Sequence, residues 1–255
     1  MNHTLVWLRQ DLRCADNTAL AAACANSEGA VTALYCITPV QWQQHDVAGV
    51  RIDFEHRHLA LLQQDLAALN IPLLIVVADT YADLPERIAS LCGAHAITAV
   101  HANRQYEINE CKRDDAVATA LAALGVACEW HEDLCIVAPG SVRTGDGRFY
   151  TVFTPFKRNW LAQLADRPIR LRALPAVRKQ RLVESDALPA DWGGYANHVD
   201  AATCAHLWPA GEQEAWSRLQ AFISSDIGRY DRQRDFPAIN GTSTLSPYLA
   251  AGVLS

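Results

Sequence analysis

Four stretches of the 255-residue chain carry side chains whose types and spacing suit chemistry. In TPVQWQQHD, His45 follows Trp42, and in HANRQYEINE, Asn109 and Glu110 stand where a helix would start. If both loops leave the same edge of a sheet, a neutral imidazole, an amide and a carboxylate converge on one ligand. A carboxylate suits the amidine edge of a pterin-like ring, because its two oxygens accept two parallel N–H bonds. On spacing alone the plainer readings lead: Glu110 is a favourable acid in a first helical turn, and His45 is a surface histidine. In GRYDRQRDFP, Tyr230 and Arg234 lie four apart and share a face if the segment is helical. GTSTLSP then supplies Thr242, Ser243, Thr244 and Ser246, with Ser246 as a helix N-cap and Pro247 at the first helical position. Hydroxyls and free N–H groups at a helix start suit a phosphate or pyrophosphate, and an ordinary capped helix is an equally good account.

Other features have plainer explanations. The early loop RQDLRCADN has no GxGxxG, so Arg9, Asp11, Arg13 and Asp16 are expected to form an internal ion network that fixes the loop. Seven irregularly spaced tryptophans favour packing over an electron relay. Gly145-Asp146-Gly147 is a hairpin turn. Eight cysteines without a CxxC pair fit reduced, mostly buried thiols. From Lys157 to Arg181 the only acid is Asp166, against Lys157, Arg158, Arg167, Arg170, Arg172, Arg178, Lys179 and Arg181. With Pro168 and Pro175 and no aromatic interleaving, that run reads as a solvated linker before a nucleic-acid patch.

The elements that must position these groups follow from hydrophobic periodicity. Near-continuous apolar runs at Thr4–Leu8, Val31–Thr38, Leu73–Ala78, Ala96–His101 and, more weakly, Ala127–Glu132 predict strands buried on both faces. Helical spacing fills the gaps at Asn17–Ala25, Arg51–Leu69, Leu84–Leu91 and Ile108–Leu124, the last with Ile108, Ala116, Val117, Ala120, Leu121 and Leu124 as its buried side. Strand and helix alternating five times predict an α/β fold: a Rossmann-like open parallel five-stranded sheet with helices on both faces. Ligands then bind at the carboxyl ends of the strands, in the loops after Leu8, Thr38, Ala78 and His101. A helix is expected over Phe153–Leu164, and Asp166–Val199, rich in Pro and Arg, reads as a connector. Helical character returns at about Gly211.

Half the residues are hydrophobic and a fifth charged, the balance of a folded globular chain. A net charge of -6 argues against coating nucleic acid by bulk electrostatics. Neither a signal core nor a membrane-length apolar run is present, so a cytoplasmic location is expected.

Five blocks in order, LVWLRQDLRCADNTAL, QYEINE, YTVFTPFKRNW, RYDRQRDFP and GTSTLSPYLAAGVLS, resemble the DNA photolyase/cryptochrome family, and most closely the bacterial class I cyclobutane pyrimidine dimer photolyases. The resemblance covers essentially the whole chain. It implies an α/β antenna domain (1–132), an interdomain connector (133–211) and the beginning of a helical FAD-binding domain (212–255). It implies two cofactors, FAD and a 5,10-methenyltetrahydrofolate antenna, although other members of the family carry a deazaflavin or a second flavin as antenna. It implies damaged DNA bearing pyrimidine dimers as partner, with no membrane and a monomeric state. By position, His45, Asn109 and Glu110 match antenna contacts, which reverses the plainer reading of these residues. Tyr230 matches an FAD contact, and Thr242, Ser243, Thr244, Leu245 and Ser246 match the segment around the FAD phosphates. Arg234 matches a residue near the DNA phosphate path. The activity implied is light-driven dimer repair by electron transfer from reduced FAD; a cryptochrome-type blue-light signalling flavoprotein is the alternative. A full family member continues for about as many residues again, so the chain is expected to be a fragment or truncated product that is inactive alone.

Overall fold

The computed structural model describes residues 2–25, 28–166, 169–190, 192 and 200–255. Five strands, β1 (His3–Leu8), β2 (Ala30–Ile37), β3 (Leu73–Val77), β4 (Ala99–Asn103) and β5 (Ala127–His131), form one parallel sheet in the order β3-β2-β1-β4-β5. Between them run α1 (Thr18–Ala23), α2 (Pro39–Gln44), α3 (Gly49–Ala68), α4 (Leu84–Ala94) and α5 (Ile108–Ala122). The period-two alternation of β1 divides the core. Val6 and Leu8 pack with Leu20, Leu59, Leu62 and Leu66 on the α1 and α3 side. Leu5 and Trp7 pack with Ile88, Val117 and Leu121 on the α4 and α5 side. Each fully buried Leu or Ile contributes about 1.5–3 kcal/mol relative to exposure, so the two cores fix the sheet between its helices. The strand order reverses between β1 and β4, which opens a crevice at the carboxyl ends of the strands.

Two local readings are corrected. The fourth strand begins three residues later than Ala96, because Ala96 is left-handed (φ 50°) and Ile97 N–H closes the end of α4 on Cys92 O at 2.9 Å. The inner face of α5 is Arg113, Asp114, Val117 and Leu121, while Ile108 and Leu124 are exposed. A charged pair turns inward there because Asp114 meets the buried Arg9 at 3.4 Å and Arg113 lies 4.9 Å over the Trp7 ring.

The basic, Pro-containing stretch is a strap where it is described. Arg172 N–H donates to Asp16 Oδ1 (2.7 Å), and Arg178 N–H donates to Leu69 O (2.8 Å). The Arg178 guanidinium is buried and donates to Cys24 O and Gly29 O, so this residue departs from the solvated reading. Asp186 then covers the outer edge of β3: its N–H donates to Leu73 O (2.9 Å) and its Oδ2 accepts from Ile75 N–H (2.8 Å). An unpaired strand edge is a template for aggregation, and the strap removes it. Trp192 is fully buried and stacks on Trp42 with centroids 5.8 Å apart. Arg167 and Pro168 of the basic run, and residues 191 and 193–199 of the expected connector, lie outside the described residues.

The remaining helices are α6 (Phe153–Ala165), α7 (Ala201–Leu207), α8 (Glu212–Ser225), α9 (Tyr230–Gln233) and α10 (Ser246–Ala250). A third core joins α3 to the C-terminal stretch through Phe54, Ala215, Leu245, Tyr248, Ala251, Val253 and Leu254. Phe54 and Tyr248 meet edge to face at 5.2 Å. Beyond α10, Gly252 (φ 66°) lies so close to the loop after β1 that an added Cβ would stand 1.9 Å from Gln10 O. Leu12 N–H donates to Ala251 O (3.2 Å) and Arg13 donates to Gly252 O (3.1 Å). All eight cysteines are free thiols. No helix among the described residues is long and apolar enough to cross a membrane.

Candidate cofactor sites

The loop after β1 is fixed as an ion and hydrogen-bond network, with partners more distant than its own sequence suggested. Asp11 accepts from Arg9 N–H (2.6 Å) and from Asn103 Nδ2 (2.7 Å), while the Arg13 guanidinium pairs with Asp133. Asn17 caps α1 and accepts from Leu20 N–H at 3.0 Å. These residues leave the loop rigid and carry no free reactive group.

Above it opens the crevice at the strand ends, lined by Trp7, Tyr35, Trp42, Arg51, Tyr81 and Arg113. Its walls are knit together. Tyr35 donates to Glu55 (2.9 Å), which also accepts from Arg51 (2.8 Å), and Arg113 donates to Gln105 (2.7 Å). Burial first, and then Glu55, push the Tyr35 hydroxyl well above its ordinary pKa, so it stays a neutral donor. Arg9 and Arg113 lie 4.4 and 4.9 Å over the Trp7 ring and fill the depth of the crevice. The free volume left is about 70 Å³. Ligand pockets run to roughly 300–1,000 Å³, so the interior is too small for a large ring system.

Glu110 stands on that rim, half-buried in the first turn of α5, and accepts from the Tyr81 hydroxyl at 3.2 Å. Burial is the larger cause that raises the Tyr81 pKa, and Arg113 stacks 4.7 Å over its ring. Tyr81 N–H donates to Gln41 Oε1 of α2 (3.2 Å), and α2 ends at His45. Tyr81 therefore bridges the two loops whose residues were expected to share a ligand. Sequence reading passed over it, although the loop after the third strand was among those marked for ligands. His45 and Asn109 are both exposed and, among the described residues, neither side chain is hydrogen-bonded. The structure ties in the carboxylate and leaves the imidazole and the amide facing solvent.

The second candidate site is the C-terminal stretch. Tyr230 and Arg234 share a face as expected, with the guanidinium 5.6 Å over the ring, but on a single helical turn. The Tyr230 ring also meets Phe222 of α8 edge-on at 5.8 Å. Ser246 is not the N-cap. Thr244 is left-handed (φ 52°) and turns the chain early, so Leu245 caps the helix, Ser246 opens it and Pro247 follows at the second position. A five-residue helix has a weak dipole and offers little attraction for an anion by itself. Thr242 and Ser246 are exposed, Ser243 is half-buried, and Thr244 Oγ1 accepts from Arg218 at 3.1 Å. Leu245 is buried and anchors the turn. Gly241 is required before it, because a Cβ there would meet Gln233 Cβ at 2.4 Å. Beside Ser246, between α3 and α10, lies an apolar cavity of about 290 Å³ whose rim carries Arg51 and Arg57.

A family model described as DNA photolyase matches residues 4–178. The deoxyribodipyrimidine photo-lyase of Escherichia coli is 41% identical over 255 residues, all of this chain and 52% of that protein. The deoxyribodipyrimidine photo-lyase of Vibrio cholerae is 40% identical over 98% of this chain and 53% of its own length. The chain thus spans about half the length of these curated relatives. A bacterial class III photolyase from Agrobacterium tumefaciens, known from its crystal structure, superposes with TM-score 0.79 at 27% identity, over 100% of this chain and 51% of that one. The family match takes in all five strands, the crevice and Glu110, and the likeness to relatives continues through Ser246. The chain belongs to the DNA photolyase family.

Proposed function

We propose that this chain supplies the antenna domain and the first FAD-contacting segment of a deoxyribodipyrimidine photo-lyase, the carbon–carbon lyase that uses light to repair cyclobutane pyrimidine dimers in DNA. The observation that carries the reading is that likeness to proteins of that name runs through both candidate sites. Residues 1–132 form the antenna domain, 133–211 the connection, and 212–255 the opening of the helical FAD domain. The photolyase is a monomer of the cytoplasm.

The residues fit the two groups. At the crevice rim, Glu110 offers a carboxylate for the amidine edge of a methenyltetrahydrofolate, with Tyr81 holding it in place. His45 and Asn109 stand exposed beside that rim as adaptable polar contacts. The filled interior favours a rim-bound folate over a flavin seated in the crevice. In the tail, the hydroxyls of Thr242, Ser243, Thr244 and Ser246 surround the buried Leu245 and offer donors for the FAD phosphates. Tyr230 adds a ring and Arg234 a cation for the DNA backbone. Reduced FAD, when bound and excited, supplies the electron that splits the dimer. A dimer must leave the base stack to be reached, so the protein binds it flipped out. The cryptochrome alternative has support from the fold alone, through a Synechocystis cryptochrome at 21% identity.

The test is repair of dimer-containing DNA by the full-length protein in blue light and in the dark. Light-dependent loss of dimers is expected; absence of repair with FAD bound would replace this reading with the signalling one. Glu110→Ala is expected to abolish the folate absorbance of the purified protein while repair persists under direct excitation of FAD. Retention of that band would count against the rim assignment.

A further inference from the structure

On the α1 side of the sheet, away from both cofactor sites, three potential metal ligands come together where β4 meets the edge strand β5. His101 stands directly opposite Glu129 in the parallel register, and His131 follows Glu129 by two residues, hence on the same face. Their ligand atoms all lie within 4.8 Å of one another. His101 Nδ1 and His131 Nε2 are 2.9 Å apart, and Glu129 Oε2 is 3.7 Å from the same His101 nitrogen.

The geometry of the imidazole pair is specific. The ring planes differ by 6° and the centroids are 5.2 Å apart. An imidazole nitrogen lies about 1.15 Å from its ring centre, given ring bonds close to the standard C–N lengths. Two such radii added to the N···N distance leave no slack, so the rings are coplanar and meet head to head. One nitrogen donates to the lone pair of the other, and a single proton holds the pair together.

We propose that His101, His131 and Glu129 form a binding site for a divalent first-row transition ion, zinc or nickel, which takes the place of the shared proton. Metal–imidazole bonds of about 2.0–2.1 Å at a tetrahedral angle need the nitrogens about 3.3 Å apart. The pair therefore opens by roughly 0.4 Å and tilts, with the carboxylate as third ligand and water completing the shell. The donor imidazole moves its proton to its far nitrogen, so the exchange needs no other reactant. Two of the three ligands can make this adjustment. Glu129 and His131 sit on the edge strand, the first with 55% of its side chain exposed and the second half-buried, while His101 is the buried, fixed member. The neutral imidazole is the ligand form, and neither ring is fully exposed, His101 being buried and His131 half-buried. Asp133 and Arg172 also face His131, one favouring a cation and one opposing it. Asp133 is already neutralised by Arg13. Nothing in the proposed photolyase reaction uses this cluster. Its position suggests a clamp between the last inner strand and the sheet edge.

Titration of the full-length protein with zinc and with nickel, followed by calorimetry in a non-chelating buffer, tests the site. One equivalent is expected to bind, and the melting temperature is expected to rise with metal concentration. His131→Gln should weaken binding by more than the ten- to hundredfold that loss of an outer-shell partner costs, and should cancel the rise in melting temperature. Glu129→Gln, at an exposed position, removes a charged ligand and should weaken binding by at least about tenfold. His206→Ala, on an exposed surface of α7, should change nothing. Absence of saturable binding to the folded wild-type protein overturns the proposal. So does binding that survives both His131→Gln and Glu129→Gln, because the ion then sits elsewhere, for instance on a cysteine.

Discussion

His58 is held in one tautomer by two neighbours from distant parts of the chain. Its Nε2–H donates to Leu12 O, and its Nδ1 accepts from Gly211 N–H at 3.2 Å. Protonation would break the second bond and charge a buried ring, and burial lowers its pKa from 6.5 to about 4. Between those values the unfolded chain binds the proton and the folded one does not. Stability is therefore full above pH 6.5 and falls by about 3 kcal/mol as the pH drops to 4. Urea unfolding at pH 7.5 and at pH 4.5 should show this loss, and His58→Gln should flatten the difference; an unchanged slope would remove His58 as its source. Nothing in RHLALLQ marked this residue, because a histidine on a helix face has no signature until its partners are known. The same limit applied at the crevice. The type and helical position of Glu110 were legible, whereas Tyr81, which fixes it, depends on a contact across three elements. Ser246 was misplaced for a backbone reason, since the left-handed Thr244 is invisible in a run of hydroxyl residues.

Strands and helices were legible where burial dominates. The five apolar runs became the five strands within three residues, because strands in the middle of a covered sheet are mostly apolar on both faces. The buried face of α5 was misread, because an inward Arg113 and Asp114 break the apolar stripe on which such a reading depends. The strap was illegible for the opposite reason. It carries no periodicity and gains its place through scattered contacts: Asp186 on the β3 edge, the buried Arg178 guanidinium on Cys24 O and Gly29 O, and Trp192. Trp192→Ala is expected to cost about 3–5 kcal/mol in chemical denaturation, the usual range for emptying a buried aromatic site. A cost under about 1 kcal/mol would show that the strap does not depend on it. At the other end, Gly252→Ala is expected to destabilise by at least about 2 kcal/mol, combining left-handed strain with a backbone clash. The clash is with the loop after β1, so trypsin cleavage at Arg9 or Arg13 should accelerate in that variant.

For the whole molecule, the surface of the C-terminal helices is as informative as the core. Trp216, Ile223, Ile227, Phe236, Ile239 and Leu249 are all exposed. The chain spans about half the length of these relatives. The 255-residue chain expressed alone is expected to bind a hydrophobic dye strongly and to lose FAD on gel filtration. Flavin retained in stoichiometric amount would refute that expectation. The same helices are nonetheless locked to the opposite end of the sequence, for Arg13 bonds to Gly252 across 239 residues. On a ribosome adding about 5–20 residues each second, the loop after β1 leaves the exit tunnel on the order of ten to fifty seconds before the glycine that closes it. During that interval the first strand of the sheet is present with its crest unsealed, so the nascent chain is exposed to chaperones for most of its synthesis.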